Sequence, residues 1–459
     1  MSSRMAWALK KAARFGDFNA SLVILAFGLA VGAMAAYILL RYFDVDLRPD
    51  YYHRLAQNLI SGQGYVIEEQ QDANVWRLPL YPFFLAGLYF LFGNGSLPVV
   101  SAQIMLNSLS AVLLFGLMRH IFPRGVALLA ALAYALYPLP HYYVVRELPV
   151  ILFTFLLLIL LHLMYAAYRN PSGLRAFAFG ASQGFATLCL VFMKGFPLFV
   201  LLAVAGAGSW RYLAAGRQER IRGWAWLAFL RSYLAERKGL LGQYVKLAVI
   251  MLAGYACILS PWILRNYQVT GAFPVIGVGG GFTLWIGNHI ATEGKDFDQL
   301  SPERAESLRR EMKQIIGAGT GVDLKNDQEL FQEAIRNFRR YPKESLILFI
   351  KKAGRLWCAA YTPAMAKYQA FLNTIQLLIL IPAVFGLYYT CRQRLQIGPL
   401  LVVLLYFQIG YTIFFATIRY IIPVMPIVIT LSVFGASEIY GKLKTESFTG
   451  RLAALRCRE

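Results

Sequence analysis

The amino-acid sequence predicts an all-α, polytopic membrane protein with about ten transmembrane helices. Three observations lead to this fold class. The 459 residues are 58% hydrophobic and only 15% charged, and the mean hydropathy is +0.52, well above that of soluble domains. Apolar runs of about 17 to 23 residues recur along most of the chain, each long enough to cross a bilayer as a helix. The basic residues gather in segments that would connect these runs on one side of the membrane.

The apolar runs and their flanking residues define the predicted spans. These are 21–40, 97–118, 126–140, 148–165, 176–192, 196–210, 244–262, 368–390, 397–416 and 421–440. The first run has no small-residue cleavage site followed by a soluble chain, so we expect it to be retained as a span. Another apolar piece, 79–93, would be only about 22 Å long as a helix and is bracketed by prolines and glycines. We predict that it is re-entrant or interfacial and does not cross.

The charge distribution predicts the side of the membrane on which each loop lies. With both termini in the cytoplasm, every inner segment is basic, whereas the large outer loop 263–345 is nearly neutral. The inner segments are 1–20, 119–124, 166–175, 211–243, 391–396 and 441–459. A crossing by 79–93 would move the basic segment 211–243 outside, against the positive-inside rule. The net charge of +21 is therefore explained by topology and anionic inner-leaflet lipid, and nucleic-acid binding is not supported.

We predict three parts in the chain: 1–262, a transmembrane module with a first outer loop at 41–96; 263–345, an outer loop region; and 346–459, further spans and a basic tail. The outer loops contain helical patterns. Residues 51–60 have apolar positions at helical spacing and predict a short interfacial helix, and 301–317 and 326–340 are amphipathic. Between them and the preceding span, the glycine-punctuated stretch 271–294 is predicted to be extended.

Acidic residues mark the start of two outer segments. Asp44, Asp46 and Asp50 follow the first span within seven residues, and Glu147 stands at the head of a later span. Asp44 and Asp46 can be explained as solvent-exposed residues at the membrane edge of the first span. Asp50 stands just before the predicted interfacial helix, where it could cap that helix or act as a positioned acid. Glu147 could equally be a solvated helix start, since a carboxylate is favoured at that end.

Basic side chains lie on the same predicted face. They are Arg77, Lys194, Arg265 and Arg419. Each alone resembles an ordinary interfacial anchor, but together they suit a lipid phosphate, because guanidinium groups bind phosphate oxygens bidentately. A nearby carboxylate could take a proton from an acceptor hydroxyl that attacks a sugar's anomeric carbon while phosphate leaves. The histidines and cysteines form no metal-binding spacing, and no GxxxxGK[ST] loop for nucleotide phosphates is present.

These segments together resemble the GT-C glycosyltransferases, in particular the branch of lipid A aminoarabinose transferases and protein O-mannosyltransferases. The shared motifs occur in order along almost the whole chain: LAQNLISGQGY, RLPLYPFFLAGLYFLFG, RELP, SPWILRNY, GFTLWIGNH followed by ATEGK, and RYIIPVMP. The resemblance implies that 1–262 is a catalytic module whose first outer loop holds the catalytic acid on interfacial helices. It also implies an inverting transfer from a polyprenyl-phosphate-linked sugar on the periplasmic face of the bacterial inner membrane.

The resemblance also implies roles for single residues. The catalytic acid corresponds best to Asp50, with Asp46 as the alternative because Asp50 lies closer to Tyr52 than the family's acid does to its tyrosine. The second acid corresponds to Glu147. The implied substrate and lipid-phosphate ligands are Tyr52, Arg77, Lys194, Arg265, Asn266 and Arg419.

The implied partners are the polyprenyl-phosphate sugar, the lipid bilayer, and an acceptor that is a glycolipid, a glycan or a protein. No cofactor and no metal ligands are assigned, and dependence on a divalent cation stays open. The rival hypothesis is a transporter or flippase of a lipid-linked sugar, in which the same cations bind a headgroup without chemistry. Few charges fall at mid-membrane and no internal repeat is evident, which favours the enzyme.

Overall fold

The computed structural model describes residues 3–48, 50–67, 74–204, 206, 238–273, 275–295, 297–317, 323–358 and 367–456. These residues form helices and connecting segments and contain no strand, as the sequence predicts. The helices are α1 (Ser3–Tyr42), α2 (Tyr52–Ile60), α3 (Leu80–Phe92), α4 (Ser96–Met118), α5 (Arg124–Leu136), α6 (Pro138–Val144), α7 (Val150–Arg169), α8 (Gly173–Cys189), α9 (Val191–Val204), α10 (Lys238–Thr270), α11 (Gly280–Gly287), α12 (Pro302–Ile316), α13 (Leu324–Arg340), α14 (Pro342–Cys358), α15 (Gln369–Arg392), α16 (Gly398–Ile413) and α17 (Met425–Arg456). A 3₁₀ segment, Ile418–Val424, precedes α17.

Six helical stretches in the described part of the chain are long and apolar enough to cross a membrane. They are Gly16–Tyr42, Ser96–Met118, Val150–Arg169, Gly242–Thr270, Gln369–Arg392 and Ile418–Lys444. Shorter apolar helices, among them α5, α9 and α16, occupy most of the other predicted spans. The predicted non-crossing piece 79–93 forms α3, whose 13 residues extend about 20 Å, less than the thickness of the hydrocarbon core.

Two predicted elements differ from the structure. The predicted span 126–140 is interrupted, because α5 ends at Leu136 and Pro138 begins α6 after the extended residue Tyr137. A proline lacks the N–H that would continue a helix but suits its first turn. The stretch 271–294, predicted to be extended, instead contains α11. At its start the N–H of Phe282 donates to the Asp327 carboxylate over 2.9 Å, a partner supplied by α13.

Two other predictions concern the cytoplasmic side. Most of the predicted basic segment 211–243 lies outside the described residues. At the other end, α17 continues to Arg456, so the predicted basic tail is largely helical.

Close backbone contact holds α8 against α10. An ideal Cβ built on Gly180 would lie 1.8 Å from the carbonyl oxygen of Met251, and one on Gly254 would lie 2.3 Å from that of Phe177. Small residues let membrane helices approach in this way. Because α8 leads directly into α9, this packing fixes the start of α9 relative to the end of α10, where two of the predicted site residues lie.

Lys352 on α14 joins the loop helices to the spans. Its side chain is buried, which lowers the pKa of its amine to about 7. Nζ donates to the carbonyl oxygens of Gly287 and Ile413, each over 3.0 Å, and to Asn288 Oδ1 over 2.6 Å. Gly287 and Ile413 are the last residues of α11 and α16, where helix carbonyls lack intrahelical partners and carry partial negative charge. Lys352 therefore holds two helix ends together, next to the segment that carries Arg419.

Substitution of Lys352 by methionine should lower the free energy of unfolding by about 3 kcal/mol, because three hydrogen bonds to buried oxygen atoms are lost. The midpoint of thermal unfolding of the purified protein in detergent measures this. Lys351→Met is the matched control, since Lys351 is exposed and pairs with exposed Glu293 at 2.9 Å, an interaction worth less than about 1 kcal/mol. Equal midpoints for the two variants would contradict the proposed role of Lys352.

Candidate active site

Asp50 lies directly before α2, and two donors fix its carboxylate. The N–H of Tyr51 donates to Asp50 Oδ1 over 2.8 Å, and Arg77 Nη2 donates to the same oxygen over 2.6 Å. The side chains of Asp50 and Arg77 keep 16% and 20% of their surface exposed, so this ion pair is shielded yet reachable from solvent. The N-cap of α2 is Tyr51, without a side-chain cap, so Asp50 is not simply a helix-capping residue.

Arg77 stands between two aromatic rings. Its guanidinium carbon lies 3.8 Å from the ring centroid of Trp76 and 5.3 Å from that of Tyr52. The Nε of Arg77 is buried and has no hydrogen-bond partner among the described residues. Stacking of this kind orients a planar guanidinium while leaving its edge for an anion.

Tyr52 connects this pair to Arg419. Burial raises the pKa of Tyr52 to about 12, and the charges of Arg77, Asp50 and Arg419 also act on its hydroxyl. The phenol is therefore neutral near pH 7 and can donate a hydrogen bond. The positive charge of Arg419 also acts on the guanidinium of Arg77. The structure thus places Asp50, Tyr52 and Arg77 in contact, with Arg419 close enough for its charge to act on Tyr52 and Arg77.

A glycine turn, defined here as residues 279–281, lies between Trp76 and Lys194. An ideal Cβ on Gly279 would lie 2.8 Å from Trp76 Nε1, and one on Gly280 would lie 3.9 Å from Lys194 Nζ. Gly279 has a φ of +109°, which a side chain would strain. The absence of side chains in this turn lets its backbone approach both residues. Lys194, which is exposed, thus adds a cation next to the glycine turn that Trp76 contacts.

Arg265 and Asn266, at the end of α10, bind the backbone on either side of this cluster. Arg265 donates to the carbonyl of Asn74 over 2.7 Å and lies over the ring of Tyr65. Asn266 is fully buried and donates to the carbonyl of Val275 over 3.0 Å. These bonds hold the segment that leads to Arg77 and the segment that leads to the glycine turn. Both residues therefore contact the backbone that supports the cluster.

Glu147 lies in a different group of contacts. Its buried carboxylate accepts bonds from Arg48 Nε over 3.0 Å and from the Tyr89 hydroxyl over 2.7 Å, and its N–H donates to the Leu47 carbonyl over 2.8 Å. The structure thus joins the second predicted acid to the loop that precedes Asp50. It does not pair Glu147 with Arg77.

Asp46 is exposed and belongs to that loop. Its carboxylate accepts the N–H of Arg48 over 3.1 Å, and its main-chain oxygen accepts Arg146 Nε over 3.0 Å. The loop between α1 and α2 is therefore held by Arg146 and Glu147, which lie in the connection between α6 and α7.

Replacement of Glu147 by glutamine should destabilise the protein by about 3 kcal/mol, because it removes the charge of a buried carboxylate that pairs with half-buried Arg48. Thermal unfolding midpoints measure the effect. Asp44→Asn, in the exposed part of the same loop, is the control and should leave the midpoint unchanged. An unchanged midpoint for Glu147→Gln would contradict an anchoring role for this carboxylate.

Sequence reasoning missed three parts of this region: Trp76, Arg48 and the glycine turn. A tryptophan beside Arg77 and the run of three glycines were visible as signals, whereas nothing local indicated that Arg48 would pair with Glu147. Within the described residues, no three His, Cys, Asp or Glu side chains form a group that could hold a metal ion.

Part of the chain is similar to a known protein family. Residues 77–235 match the family model described as dolichyl-phosphate-mannose-protein mannosyltransferase. No curated protein matches the sequence at a significant level.

Two solved structures align with most of this chain. The archaeal oligosaccharyltransferase AglB from Archaeoglobus fulgidus, in complex with an inhibitory peptide and a dolichol-phosphate, is similar over 96% of this chain, with a TM-score of 0.55 and 11% identity. The chain spans about half of that structure's length, 52%. ArnT from Cupriavidus metallidurans bound to undecaprenyl phosphate aligns with 90% of this chain and 76% of its own, at 15% identity and a TM-score of 0.38. The chain is therefore similar to this mannosyltransferase family over residues 77–235, and it shares the fold of AglB.

Proposed function

We propose that the protein transfers a sugar from a polyprenyl-phosphate donor to an acceptor hydroxyl, with inversion at the anomeric carbon. The observation that carries this proposal is the grouping of one reachable carboxylate, Asp50, with the cations Arg77 and Arg419 and, beyond Trp76, with Lys194. Support for a lipid phosphate comes from the matched family, whose description names dolichyl-phosphate-mannose, and from the dolichol-phosphate in the AglB structure.

In the proposed reaction the cations hold the donor's phosphate. Arg77 is already oriented by Trp76, and its guanidinium can bind two phosphate oxygens at once. Arg419 and Lys194 add positive charge near the same place. This charge stabilises the phosphate as it leaves, which is where catalysis of glycosyl transfer gains most.

Asp50 is the proposed general base. Tyr51 and Arg77 both bind Oδ1, so Oδ2 is the oxygen that takes the proton of the acceptor hydroxyl. The acceptor oxygen forms a bond to the anomeric carbon, and the carbon–oxygen bond to phosphate breaks with its electron pair on phosphate. A single displacement inverts the configuration. Asp50 is preferred to Asp46 because Asp50 contacts Arg77, whereas the Asp46 carboxylate is exposed and binds the N–H of Arg48.

The remaining site residues take supporting roles in this proposal. Neutral Tyr52 donates a hydrogen bond to the donor, and Glu147, Arg265 and Asn266 position the segments that carry Asp50, Arg77 and the glycine turn. The basic inner segments support a location in the bacterial inner membrane, with both termini in the cytoplasm and the site facing the periplasm. The proposed acceptor is a glycolipid, a glycan or a protein.

A transfer assay tests the proposal. Purified protein in lipid nanodiscs is incubated with a panel of undecaprenyl-phosphate sugars and envelope extract, and products are identified by mass spectrometry. The expected result is an acceptor heavier by one sugar, formed together with undecaprenyl phosphate. Nucleotide-linked sugars are the matched control and should give no product. Translocation of intact lipid-linked sugar across a vesicle membrane, without its cleavage, would instead support a transporter and contradict the proposal.

A further inference from the structure

Helix α14 has an exposed apolar side at the same end of the bundle as the candidate site. Leu346, Ile347 and Ile350 are 61%, 54% and 65% exposed. At about 100° per residue, these positions lie within one third of the helix circumference. Exposed aliphatic side chains grouped in this way indicate a surface that contacts something other than water.

The opposite side of α14 is fixed to the protein. Leu348, Lys352 and Leu356 recur every four residues and are buried, and Lys352 makes the bonds to the ends of α11 and α16 described above. Its 17 residues include three lysines, an arginine and a glutamate, so α14 is not one of the membrane-crossing helices. The exposed apolar side therefore belongs to a firmly held helix that does not itself cross the membrane.

The exposed side continues the surface of the spans. α14 packs against α15 and α16, and the span α15 presents Phe371 and Leu378 outward, 59% and 69% exposed. On a crossing helix such residues face acyl chains. Lys343 precedes Ile347 and Ile350 on the same side of α14, where a long cationic side chain can reach lipid phosphates while its stem stays in apolar surroundings.

We infer that α14 is an interfacial helix whose Leu346, Ile347 and Ile350 side inserts among the acyl chains of the adjacent leaflet. The partner is the lipid bilayer. Through Lys352, the inserted helix holds α11 and the glycine turn at a fixed height above the membrane. The inference depends on exposure, packing and charge and not on the proposed enzymatic activity.

The depth of single spin labels tests the inference. Full-length protein with Cys257, Cys358, Cys391 and Cys457 replaced by serine is reconstituted in vesicles of phosphatidylcholine and phosphatidylglycerol, and buried Cys189 is retained. Labels are placed at Leu346→Cys and Ile350→Cys. The matched controls are Glu344→Cys, exposed on α14 about 110° around the helix from the centre of the apolar side, Gln328→Cys on α13, and Leu378→Cys on α15 as the lipid reference.

Power-saturation measurements compare collisions with oxygen, which concentrates in lipid, and with a water-soluble nickel chelate. Labels at 346 and 350 should be more accessible to oxygen than to the nickel chelate, as the label at 378 should be. Labels at 344 and 328 should be more accessible to the nickel chelate. Nickel accessibility at 350 equal to that at 328 would overturn the inference, since the exposed apolar side of α14 would then face water. Low accessibility to both reagents at 346 and 350 would also overturn it, because a second copy of the chain or another protein would then cover the exposed apolar side of α14.

Discussion

Replacement of Asp50 by asparagine should reduce sugar transfer by about 10²- to 10⁴-fold, the usual contribution of a general base. Asparagine has the shape of aspartate and can still accept the bonds from Tyr51 and Arg77 through its oxygen. It cannot take the proton of the acceptor hydroxyl. The expected loss therefore appears in the rate of transfer at saturating donor, measured as product formed per enzyme in nanodiscs.

The control for this variant is Asp46→Asn, four residues earlier in the same loop. Because the Asp46 carboxylate is exposed and binds only local backbone in the contacts described, the rate should stay near that of the unmodified protein. Thermal unfolding midpoints show whether either variant is destabilised. A full rate with Asp50→Asn, or a loss confined to Asp46→Asn, would contradict the assignment of Asp50.

Substitution of Arg77 by lysine should lower kcat/KM for the lipid-linked donor by about 10- to 100-fold. Lysine keeps the charge but loses the planar fork and the stack on Trp76, and a charge-assisted hydrogen bond is worth roughly 1.5–3 kcal/mol. The measurement is a donor titration at a fixed concentration of acceptor, which separates kcat from KM.

Arg54→Lys on α2 is the matched control for Arg77→Lys. Arg54 is exposed and lies 5.9 Å from the ring of Tyr51, so the same chemical change occurs one helix turn beyond the cluster. Donor dependence should be unchanged in this variant. If Arg77→Lys leaves the donor titration unchanged and alters only the acceptor titration, Arg77 is not a ligand of the donor phosphate.

Much of the fold was predictable because its signals are local. The thickness of the hydrocarbon core sets the length of an apolar run, and the amphipathic pattern of 51–60 follows from helical periodicity. In α2, Tyr52, Leu55 and Ala56 are indeed the buried residues. Family resemblance then supplied candidates for the site, of which Asp50, Tyr52, Arg77 and Arg419 lie together.

The features that sequence reasoning missed depend on partners far along the chain. α11 begins where Asp327, 45 residues beyond Phe282, accepts its N–H. Arg48 pairs with Glu147, 99 residues later in the chain. Lys352 on α14 donates hydrogen bonds to the last residues of α11 and α16. No periodicity or motif records such pairings, because they arise only when the spans pack. The division between residues that touch the cluster and residues that support it was therefore visible only in the structure.

A structure of the full chain in nanodiscs with undecaprenyl phosphate bound would show which residues bind the donor phosphate. We expect the phosphate within about 3 Å of guanidinium nitrogens of Arg77 or Arg419, with Asp50 beside the space left for the sugar and acceptor. A phosphate bound away from these residues, for example near Arg169 at the opposite end of α7, would contradict it.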